Sequence, residues 1–545
     1  MIPKHLAVTW TTNSLTETRK DDYHVTSQVI ANYMGTFGSH DLTVMAGFEN
    51  YYMKDEELTA ARDKYELTGY PYLNIGSEDF QTNSGKGSEY TSNSVFGRVI
   101  YSYADRYLFQ ANIRHDGSSR FAKGYRWGTF PSFSAGWVMS EEKFMKSLNW
   151  DWLSFLKLRG SWGILGNERI GDDYFPYIAL MSFGNSLFYM ADGSVVSDKT
   201  ARPAILAVED ITWETTTSTD FGLDANFFNN RLQFHFDYYW KQTKDMLLKI
   251  EIPYFMGYNN PNTNAGKMST HGYDIELAWN DRIGDLQYGV NVNFSDFLSK
   301  IDYMNDGEQI SNGKIKRAGV LFNEYYGYVC DGIYQTQEEV NNSARTSTTV
   351  TVGDLKYRDI SGPDGVPDGI ISPEYDRVPL GNSLPRFQYG GTFNASYKGI
   401  DFSIAFQGIG KQNSYLSTAM VQPLRDNYGS VPSIIEGKYW SPFNTAEENL
   451  SARYPRLSNV SKSNNYATSS FWMFNGSYFR LKNLTLGYTL PETWTQKAGI
   501  DRVRFYISGS DLFCLSNFPD GWDPEMGASS YPITTSLVMG LQVNF

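Results

Sequence analysis

Strict alternation of apolar and polar residues is the dominant pattern of this chain, and it is clearest between residues 219 and 241. One alternating set is almost entirely apolar: Phe221, Leu223, Ala225, Phe227, Leu232, Phe234, Phe236, Tyr238 and Trp240. The set between them is mainly polar: Asp220, Asp224, Asn226, Arg231, Gln233, His235, Asp237 and Lys241. A period of two indicates β-strands with one apolar and one polar face. With a turn predicted at 228–230, the segment is predicted to be a hairpin.

The same pattern recurs along the chain, in the segments 24–52, 92–116, 273–295 and 386–408. Each segment joins two alternating runs across a turn rich in Gly, Asp, Asn or Ser. The runs last for about 9 to 11 residues, the length that a tilted strand needs to cross a bilayer, whereas strands of soluble domains average about 5 or 6. Roughly 14 to 16 such strands predict an all-β fold, a large antiparallel transmembrane β-barrel.

Composition narrows the class of protein. No linker or composition shift divides the 545 residues, so we predict one domain over 1–545. Aromatic residues make up 16% of the chain and cluster near predicted strand ends, as Tyr51, Tyr52, Tyr101 and Tyr103 do, which is typical of the aromatic girdles of membrane barrels. No apolar run approaches the ~18 residues of a membrane helix, so a helical membrane protein is excluded. The net charge of −13 argues against a nucleic-acid partner.

The predicted connections between strands have two lengths. Short ones at 104–106, 228–230 and 398–399 alternate with long ones at 54–90, 300–322, 336–385 and 411–476. Membrane barrels have this asymmetry, with short periplasmic turns and long extracellular loops. Aromatic side chains in the long loops are candidates for stacking on a substrate, with loop packing as the competing interpretation. These candidates are Tyr325, Tyr326, Tyr334, Tyr439 and Trp440.

One loop carries closely spaced carboxylates. They are Asp359, Asp364, Asp368 and Asp376. Oxygen ligands spaced around glycines, here Gly365 and Gly369, are typical of calcium loops, so Ca²⁺ is one hypothesis. The fit to the calcium-loop pattern is incomplete, because Val366 and Tyr375 stand where ligands are needed. The second hypothesis is an Asp/Gly turn that needs no ion.

Catalytic motifs are absent from the sequence. The six histidines are scattered, and there is no HExxH, GxSxG or P-loop motif. The two cysteines, Cys330 and Cys514, imply neither a disulfide framework nor a cysteine-based metal site. We therefore predict that the chain is not an enzyme and requires no cofactor.

The chain ends in a further alternating run, 536–545, with Leu537, Met539, Leu541 and Phe545 on one face. A final strand that closes on an aromatic residue is similar to the assembly signal of outer-membrane barrels. Together with the segments 93–146, 156–177, 354–408 and 475–491, this strand resembles the SusC/RagA-type TonB-dependent transporters of the bacterial outer membrane. The resembling segments span nearly the whole chain.

The resemblance implies a function and an architecture. It implies a multi-pass barrel in the outer membrane that imports oligosaccharides or peptides with a SusD-like lipoprotein and with energy from TonB. Such transporters have a 22-stranded barrel closed by a plug, preceded by a signal peptide and a TonB box. This chain reaches alternating strand within about 25 residues of Met1, without the apolar core of a signal peptide. The prediction is therefore the C-terminal barrel portion, with TonB contacted through the missing N-terminal region.

The alternative function is that of a soluble all-β domain that binds or cleaves glycans, because such domains are also rich in Tyr and Trp. The two hypotheses differ in what covers the apolar face. In a barrel, side chains such as Phe221, Phe234 and Trp240 contact lipid. In a soluble fold, a second sheet covers them.

Overall fold

The computed structural model describes residues 13–67, 69–171, 173–305, 307–417, 421–424, 431, 433–527, 531 and 533–545. Residues 1–12, on which part of the prediction about a missing signal peptide rests, lie outside the described residues. The strands, in chain order, are β1 Ser14–Phe37, β2 His40–Asp63, β3 Gln81–Tyr103, β4 Tyr107–Ser118, β5 Trp127–Val138, β6 Leu153–Asn167, β7 Met181–Tyr189, β8 Val195–Pro203, β9 Glu214–Phe227, β10 Leu232–Lys249, β11 Asn262–Ile283, β12 Leu286–Met304, β13 Glu308–Ser311, β14 Lys314–Arg317, β15 Glu324–Tyr328, β16 Cys330–Ile333, β17 Leu355–Tyr357, β18 Arg377–Asn382, β19 Arg386–Tyr397, β20 Ile400–Lys411, β21 Asn413–Tyr415, β22 Met473–Asn475, β23 Tyr478–Thr489, β24 Arg502–Ser516 and β25 Ser536–Asn544.

Helices are few and short. They are α1 Lys143–Ser147, α2 Gln337–Asn342, α3 Ala446–Leu450, α4 Lys462–Asn465 and α5 Glu492–Thr495. Single 3₁₀ turns lie at Leu73–Ile75, Glu78–Phe80, Met139–Glu141, Tyr254–Met256, Ser433–Ile435, Ser470–Trp472 and Gln496–Ala498. No helix in the described part of the chain has both the length and the apolar character needed to cross a bilayer.

Within the described residues, fifteen strands form the main sheet: β1 to β6, β9 to β12, β19, β20 and β23 to β25. Two-strand and four-strand sheets account for the others. The count of roughly 14 to 16 main strands that the alternation predicted is therefore confirmed, as is the all-β class. The chain divides into two compact units, unit 1 (Met1–Ser134, Trp162–Thr217, Thr243–Ala265) and unit 2 (Ala135–Ser161, Ser218–Gln242, Gly266–Phe545).

In unit 1, β1, β2, β3 and β4 form a continuous antiparallel ladder. β1 pairs with β2 from Ser14 opposite Asp63 to Phe37 opposite His40. The long loop predicted at 54–90 is wrong in extent, because both of its flanks belong to strands and the actual connection is 64–80. The backbone hydrogen bonds of the ladder continue past the alternating segment into a charged stretch of β2. Charged side chains on both faces of a strand are compatible with water on both faces. The Lys20 ammonium group, for example, lies 3.0 Å from the Glu57 carboxylate on β2.

In unit 2, apolar side chains align with apolar ones and polar side chains with polar ones across the main-sheet strands β11, β12, β19, β20, β23, β24 and β25. One row is apolar, and the strand register aligns in it Trp279, Val290, Phe393, Ile404, Leu484, Gly509 and Leu537. One residue along, the opposite face carries Ala278, Asn291, Thr392, Ala405, Asn483, Ser510 and Ser536. We call these the apolar face and the polar face of unit 2. Register converts the period-two pattern of each strand into two continuous surfaces.

The apolar face of unit 2 is uncovered. Phe221 is 56% exposed, Trp240 is 43% exposed and Met539 is 81% exposed. In the described residues no second sheet lies over these side chains. The alternative of a soluble glycan-active domain predicted such a sheet, and that prediction is wrong. A face of this kind needs a hydrocarbon environment, which a bilayer provides.

Aromatic side chains line the short-turn end of unit 2. Trp150 stacks on Trp152 with ring centres 5.3 Å apart, and Trp152 is parallel to Phe227 at 5.8 Å. Phe228 and Trp279 extend the series at 6.3 Å. The predicted turn is confirmed here, since Phe228 and the two following asparagines all adopt positive φ between 53° and 64°. Such a belt is typical of the membrane–water boundary.

The alternation of short and long connections is confirmed, but the separate long loops predicted at 300–322 and 336–385 are wrong in extent, because one connection, 305–385, joins β12 to β19. Short connections at 38–39, 104–106, 284–285 and 398–399 alternate with long ones such as 64–80, 168–213, 305–385 and 412–477. The last two are not structureless, because their described residues form eleven strands and helices and contribute to three buried clusters. They are called the long loops of unit 2 below.

Candidate functional site

The polar face of unit 2 is organised around Arg159 on β6. Its Nη1 and Nη2 atoms donate to the Asp237 carboxylate at 2.5 and 2.7 Å, and its Nε donates to Asp224 at 3.2 Å. Asp220 lies 3.7 Å from the guanidinium, and His235 hydrogen-bonds to Asp224 at 3.0 Å. Five polar side chains from three strands thus form one charged cluster.

Gly222 makes the close approach of the Arg159 guanidinium possible. A Cβ atom at position 222 would lie 2.4 Å from Arg159 Cζ, well inside van der Waals contact. The sequence placed Asp220, Asp224, His235 and Asp237 on one face correctly, but it did not identify Arg159 as their shared partner. The available signal was Lys157 and Arg159 at alternate positions of β6, a basic pair that matches the acidic alternation of β9.

Two further ion-pair groups lie on strands of the main sheet in unit 2. Asp296 is on the same side of β12 as Phe294, whereas Arg480 stands opposite Gln407 on the polar face. Asp296 is buried and accepts from Arg386 through both oxygens, one of them at 2.5 Å from Nη2. Arg480 is buried, and its Nη2 donates to Asp523 at 2.5 Å. Lys482, two residues along β23, contacts Asp511 at 3.0 Å. The charged hydrogen bonds of these pairs hold their side chains in defined positions. The sheet surface that carries them is rigid and hydrophilic.

Between the ion pairs the polar face carries amides. A cavity of about 690 Å³ is lined by Asn291, Asn293, Gln388, Gln407 and Tyr478, among others. Gly390 stands between Asn293 and Gln407 in the strand register, and its missing side chain deepens the surface there. Amides and a phenol donate and accept hydrogen bonds without carrying charge, so this stretch suits a polar, hydrated solute.

The predicted substrate-contacting aromatics occupy the interior of the long loops of unit 2. Tyr325, Tyr326, Tyr334 and Trp440 are all buried, and Tyr439 packs against the cluster around Trp472. The Tyr334 hydroxyl donates to the Ala344 carbonyl at 2.9 Å, and Trp440 Nε1 donates to Gln335 at 3.2 Å. The structure thus shows these rings packing the loops, and their contact with substrate stays a prediction.

Burial perturbs the titration of this interior. It raises the pKa of Tyr334 to about 12, with the nearby Glu339 carboxylate adding to the effect. It also raises the pKa of the Cys330 thiol to about 11. Both groups are neutral at physiological pH, and a protonated buried thiol is a poor nucleophile. The Tyr334 phenol and the Cys330 thiol therefore serve the packing of the loop interior.

Asp354 is the polar centre of the long loops. Its buried carboxylate accepts from Arg456 Nε at 2.7 Å, from Ser461 Oγ at 2.8 Å and from Asn465 Nδ2 at 3.0 Å, and also from the Thr351 amide at 2.9 Å. Arg456, Ser461 and Asn465 come from about one hundred residues further along the chain, so this one carboxylate joins both long loops. No pattern in the sequence indicates this ion pair, because it depends on a tertiary contact between distant segments.

The carboxylates of the predicted calcium loop mostly accept backbone N–H groups. Buried Asp376 accepts from Ile360 at 2.7 Å and from Ser372 at 2.7 Å. Asp359 accepts from Gly369 through Oδ2, and Asp368 accepts from Ile370. Among the residues that the structure describes, no three His, Cys, Asp or Glu side chains lie close enough together to hold a metal ion by themselves. Asp359 Oδ1 is buried without a hydrogen-bond partner.

Comparison with known proteins places this geometry in context. A family model described as "TonB dependent receptor-like, beta-barrel" matches residues 5–508. TonB-dependent receptor P3 of Formosa agariphila is 30% identical over 557 residues, which cover 95% of this chain and 52% of the relative. TonB-dependent receptor SusC of Bacteroides thetaiotaomicron is 28% identical over 541 residues, or 96% of this chain and 50% of SusC.

A solved structure, that of the RagAB peptide transporter, matches with a TM-score of 0.80 at 23% identity. The match covers 98% of this chain and 57% of the matched chain, and it supports the fold. The chain spans about half the length of the curated relatives it matches.

Proposed function

Because this chain belongs to the TonB-dependent receptor-like β-barrel family, as a member of the SusC and RagA type, we propose that it forms the wall of a nutrient importer. Its location is the outer membrane. The proposed cargo is an oligosaccharide or a peptide, which passes along the polar face into the periplasm. Movement of the cargo requires energy from TonB.

The observation that carries the proposal is the contrast between the two faces of unit 2. One face is an uncovered apolar row from Trp279 to Leu537, as lipid contact requires. The other carries fixed ion pairs around Arg159 and Arg480 and an amide-lined stretch between strands. A wall with these surfaces separates hydrocarbon from a hydrated passage.

The proposed partner is a SusD-like surface lipoprotein that captures cargo at the long loops. Support comes from the similarity to SusC and to the RagAB peptide transporter. The proteins to which the chain is similar are named receptors and transporters. We accordingly propose that the chain breaks no bond in its cargo and that hydrolysis is left to other proteins.

Deletion of the gene that encodes this chain tests the importer. We expect loss of growth on one class of oligosaccharide or peptide as sole carbon source, with unchanged growth on the corresponding monomers. The chain should stay in the membrane pellet after a carbonate wash and enter solution only with detergent. Unchanged growth on every oligosaccharide and peptide supplied, or release by carbonate, would contradict the proposal.

We propose in addition that the loop 359–376 binds Ca²⁺ weakly. The unpaired, buried Asp359 Oδ1 supports this, because a buried carboxylate oxygen without a donor gains from a cation. Most other carboxylate oxygens of the loop accept N–H groups, so backbone carbonyls and water would complete the coordination of the ion. We therefore expect a dissociation constant of about 10⁻⁴ to 10⁻³ M.

Hydrogen exchange of the loop 359–376 tests the calcium proposal. We expect about 5 mM Ca²⁺, several times the upper affinity limit, to slow exchange in this loop, and EGTA to reverse the effect. The Asp359→Asn variant should lose the response, whereas Asp302→Asn, outside the loop, should keep it. Identical exchange with and without Ca²⁺ in the parent chain would refute the site.

A further inference from the structure

A cavity in unit 2 lies where β12 separates from β19. β12 pairs with β19 from Leu286 to Ser295. Beyond that point it pairs with the connection 305–385, since the Phe322 amide donates to the Ser299 carbonyl at 2.9 Å. The cavity has a volume of about 370 Å³ and is lined by residues from both sides of this fork. This is the small end of the range of ligand pockets, about 300 to 1,000 Å³, so it suits one short ligand.

Hydrogen bonds fix the shape of the cavity. Asn382 Nδ2 donates to the Phe322 carbonyl at 2.8 Å, and the Leu384 amide donates to Asn382 Oδ1 at 2.7 Å. The ion pair of Arg386 with Asp296 joins β19 to β12 at the point where the strands separate. The cavity is therefore pre-formed, which lowers the entropic cost of binding.

Two cations line the cavity next to each other, and only one of them has an anionic partner. The strand register places Lys411, at the end of β20, directly opposite Arg386. Like charges opposite each other in a sheet repel. Asp296 compensates Arg386, whereas the Lys411 side chain has no hydrogen bond or ion pair with any residue that the structure describes. A carboxylate from a ligand would supply the missing anion.

One carboxylate in the lining likewise lacks a cation. Glu324 Oε2 accepts from the Leu321 amide at 3.2 Å, and among the described residues no Lys, Arg or His forms an ion pair with Glu324. Glu324 and Lys411 thus carry opposite charges in one cavity without neutralising each other. A ligand that carries both an ammonium group and a carboxylate would satisfy the two side chains.

The apolar part of the lining favours a peptide over a saccharide. Leu298, Leu321, Leu380 and Leu384 contribute alkyl side chains, and Phe297 is the one aromatic ring in the lining that the structure describes. Burial against leucines stabilises a branched alkyl side chain, which peptides carry and saccharides lack.

Asn413 offers a partner for a peptide bond. It lines the cavity, and its carboxamide has no hydrogen bond within the described part of the chain. Gly381 leaves room for the carboxamide, because a Cβ atom at position 381 would overlap with Asn413 Oδ1. A carboxamide both donates and accepts hydrogen bonds, as a peptide backbone does.

We propose that this cavity binds a short apolar peptide, with its terminal carboxylate on Lys411, its terminal ammonium group on Glu324 and an alkyl side chain against the four leucines. The inference rests on the proposed function, which it narrows from oligosaccharides or peptides to peptides. A neutral oligosaccharide is the alternative that the experiment separates.

Calorimetry on the purified full chain in detergent tests the proposal with three probes: trileucine, triserine and maltotriose. We expect trileucine to bind at least about tenfold more tightly than either of the others, because only its side chains gain from burial against the leucines. Lys398→Gln, just before β20 and outside the cavity, is the matched control and should bind trileucine as the parent does.

Blocked peptides assign each charge to one end of the ligand. Lys411→Gln should weaken the binding of trileucine about fivefold and leave that of trileucine amide, which has no carboxylate, unchanged. Glu324→Gln keeps an acceptor for the Leu321 amide. It should weaken trileucine by a similar factor and leave N-acetyl-trileucine, which has no ammonium group, unchanged. A purely structural effect of either substitution would weaken free and blocked peptides alike.

Three outcomes would overturn the inference. Equal affinity for maltotriose would remove the preference for a peptide, and equal affinity for triserine would remove the role of the leucines. Equal losses for free and blocked peptides would remove the contacts with the termini. If a cavity variant fails to fold, the probe ranking of the parent chain decides the matter. Growth of the deletion strain is a separate readout: growth lost on oligosaccharides alone overturns only this inference, whereas unchanged growth on every nutrient overturns the importer itself.

Discussion

Replacing Ile404 with Arg is expected to lower the free energy of unfolding by about 2 to 4 kcal/mol, or to prevent assembly into membranes. Ile404 lies in the apolar row of unit 2, between Phe393 on β19 and Leu484 on β23. An Arg side chain there would place its charge in hydrocarbon, where water cannot solvate it. The measurement is urea unfolding of the chain in lipid vesicles, with membrane insertion followed by resistance to carbonate extraction.

Ser403→Arg is the matched control, one residue away and on the opposite face. Ser403 Oγ donates to Asn394 Oδ1 at 2.7 Å on the polar face, so Arg at this position costs one hydrogen bond, about 0.5 to 1.5 kcal/mol, and keeps its charge in water. The contrast between the neighbours is the informative result. Equal losses in the two variants would show that lipid does not contact the apolar face.

Replacing Arg456 with Met is expected to destabilise the long loops of unit 2 by about 3 to 5 kcal/mol. The change leaves the buried Asp354 carboxylate without its cation, with only Ser461, Asn465 and a backbone amide as donors. The loss should be local, because the strands of the main sheet do not depend on this carboxylate. Hydrogen exchange of segments 351–357 and 461–466 measures it, with strand β20 as internal reference.

Arg453→Met is the control for charge and length. Arg453 lies three residues away and is exposed, and among the described residues its one hydrogen bond runs from its backbone amide to the Lys438 carbonyl. We expect exchange of both loop segments to stay at the parent rate in this variant. Unchanged exchange in Arg456→Met would mean that Asp354 does not hold the two long loops together.

On the polar face, the sequence predicts which side chains share a surface but not which of them meet. Alternation assigned Asp220, Asp224 and Asp237 to one face, and the structure places them there. It did not supply Arg159, because β6 is separated from β9 in the chain by more than forty residues and the pairing of those strands is not a local property. Period-two alternation determines which face a side chain occupies, whereas register determines its neighbour.

The long loops illustrate the opposite case. Tyr334 and Trp440 are candidates for stacking on a substrate because they lie in long loops, with loop packing as the competing interpretation. The structure buries both, because connections of this length form their own small sheets and cores around residues such as Trp472. Burial in an irregular segment follows from contacts between residues about one hundred positions apart, such as Asp354 and Arg456. No local sequence signal encodes these contacts.

The sequence by itself determined the class of the protein: long alternating strands, aromatic rows near their ends, short and long connections in turn, and a final strand that closes on Phe545. These are one-dimensional properties, since a strand in a membrane wall must present a different solvent to each face along its whole length. The tertiary structure alone decided which charges meet and which rings are buried. Those outcomes depend on register and loop folding, and both are set by contacts between distant parts of the chain.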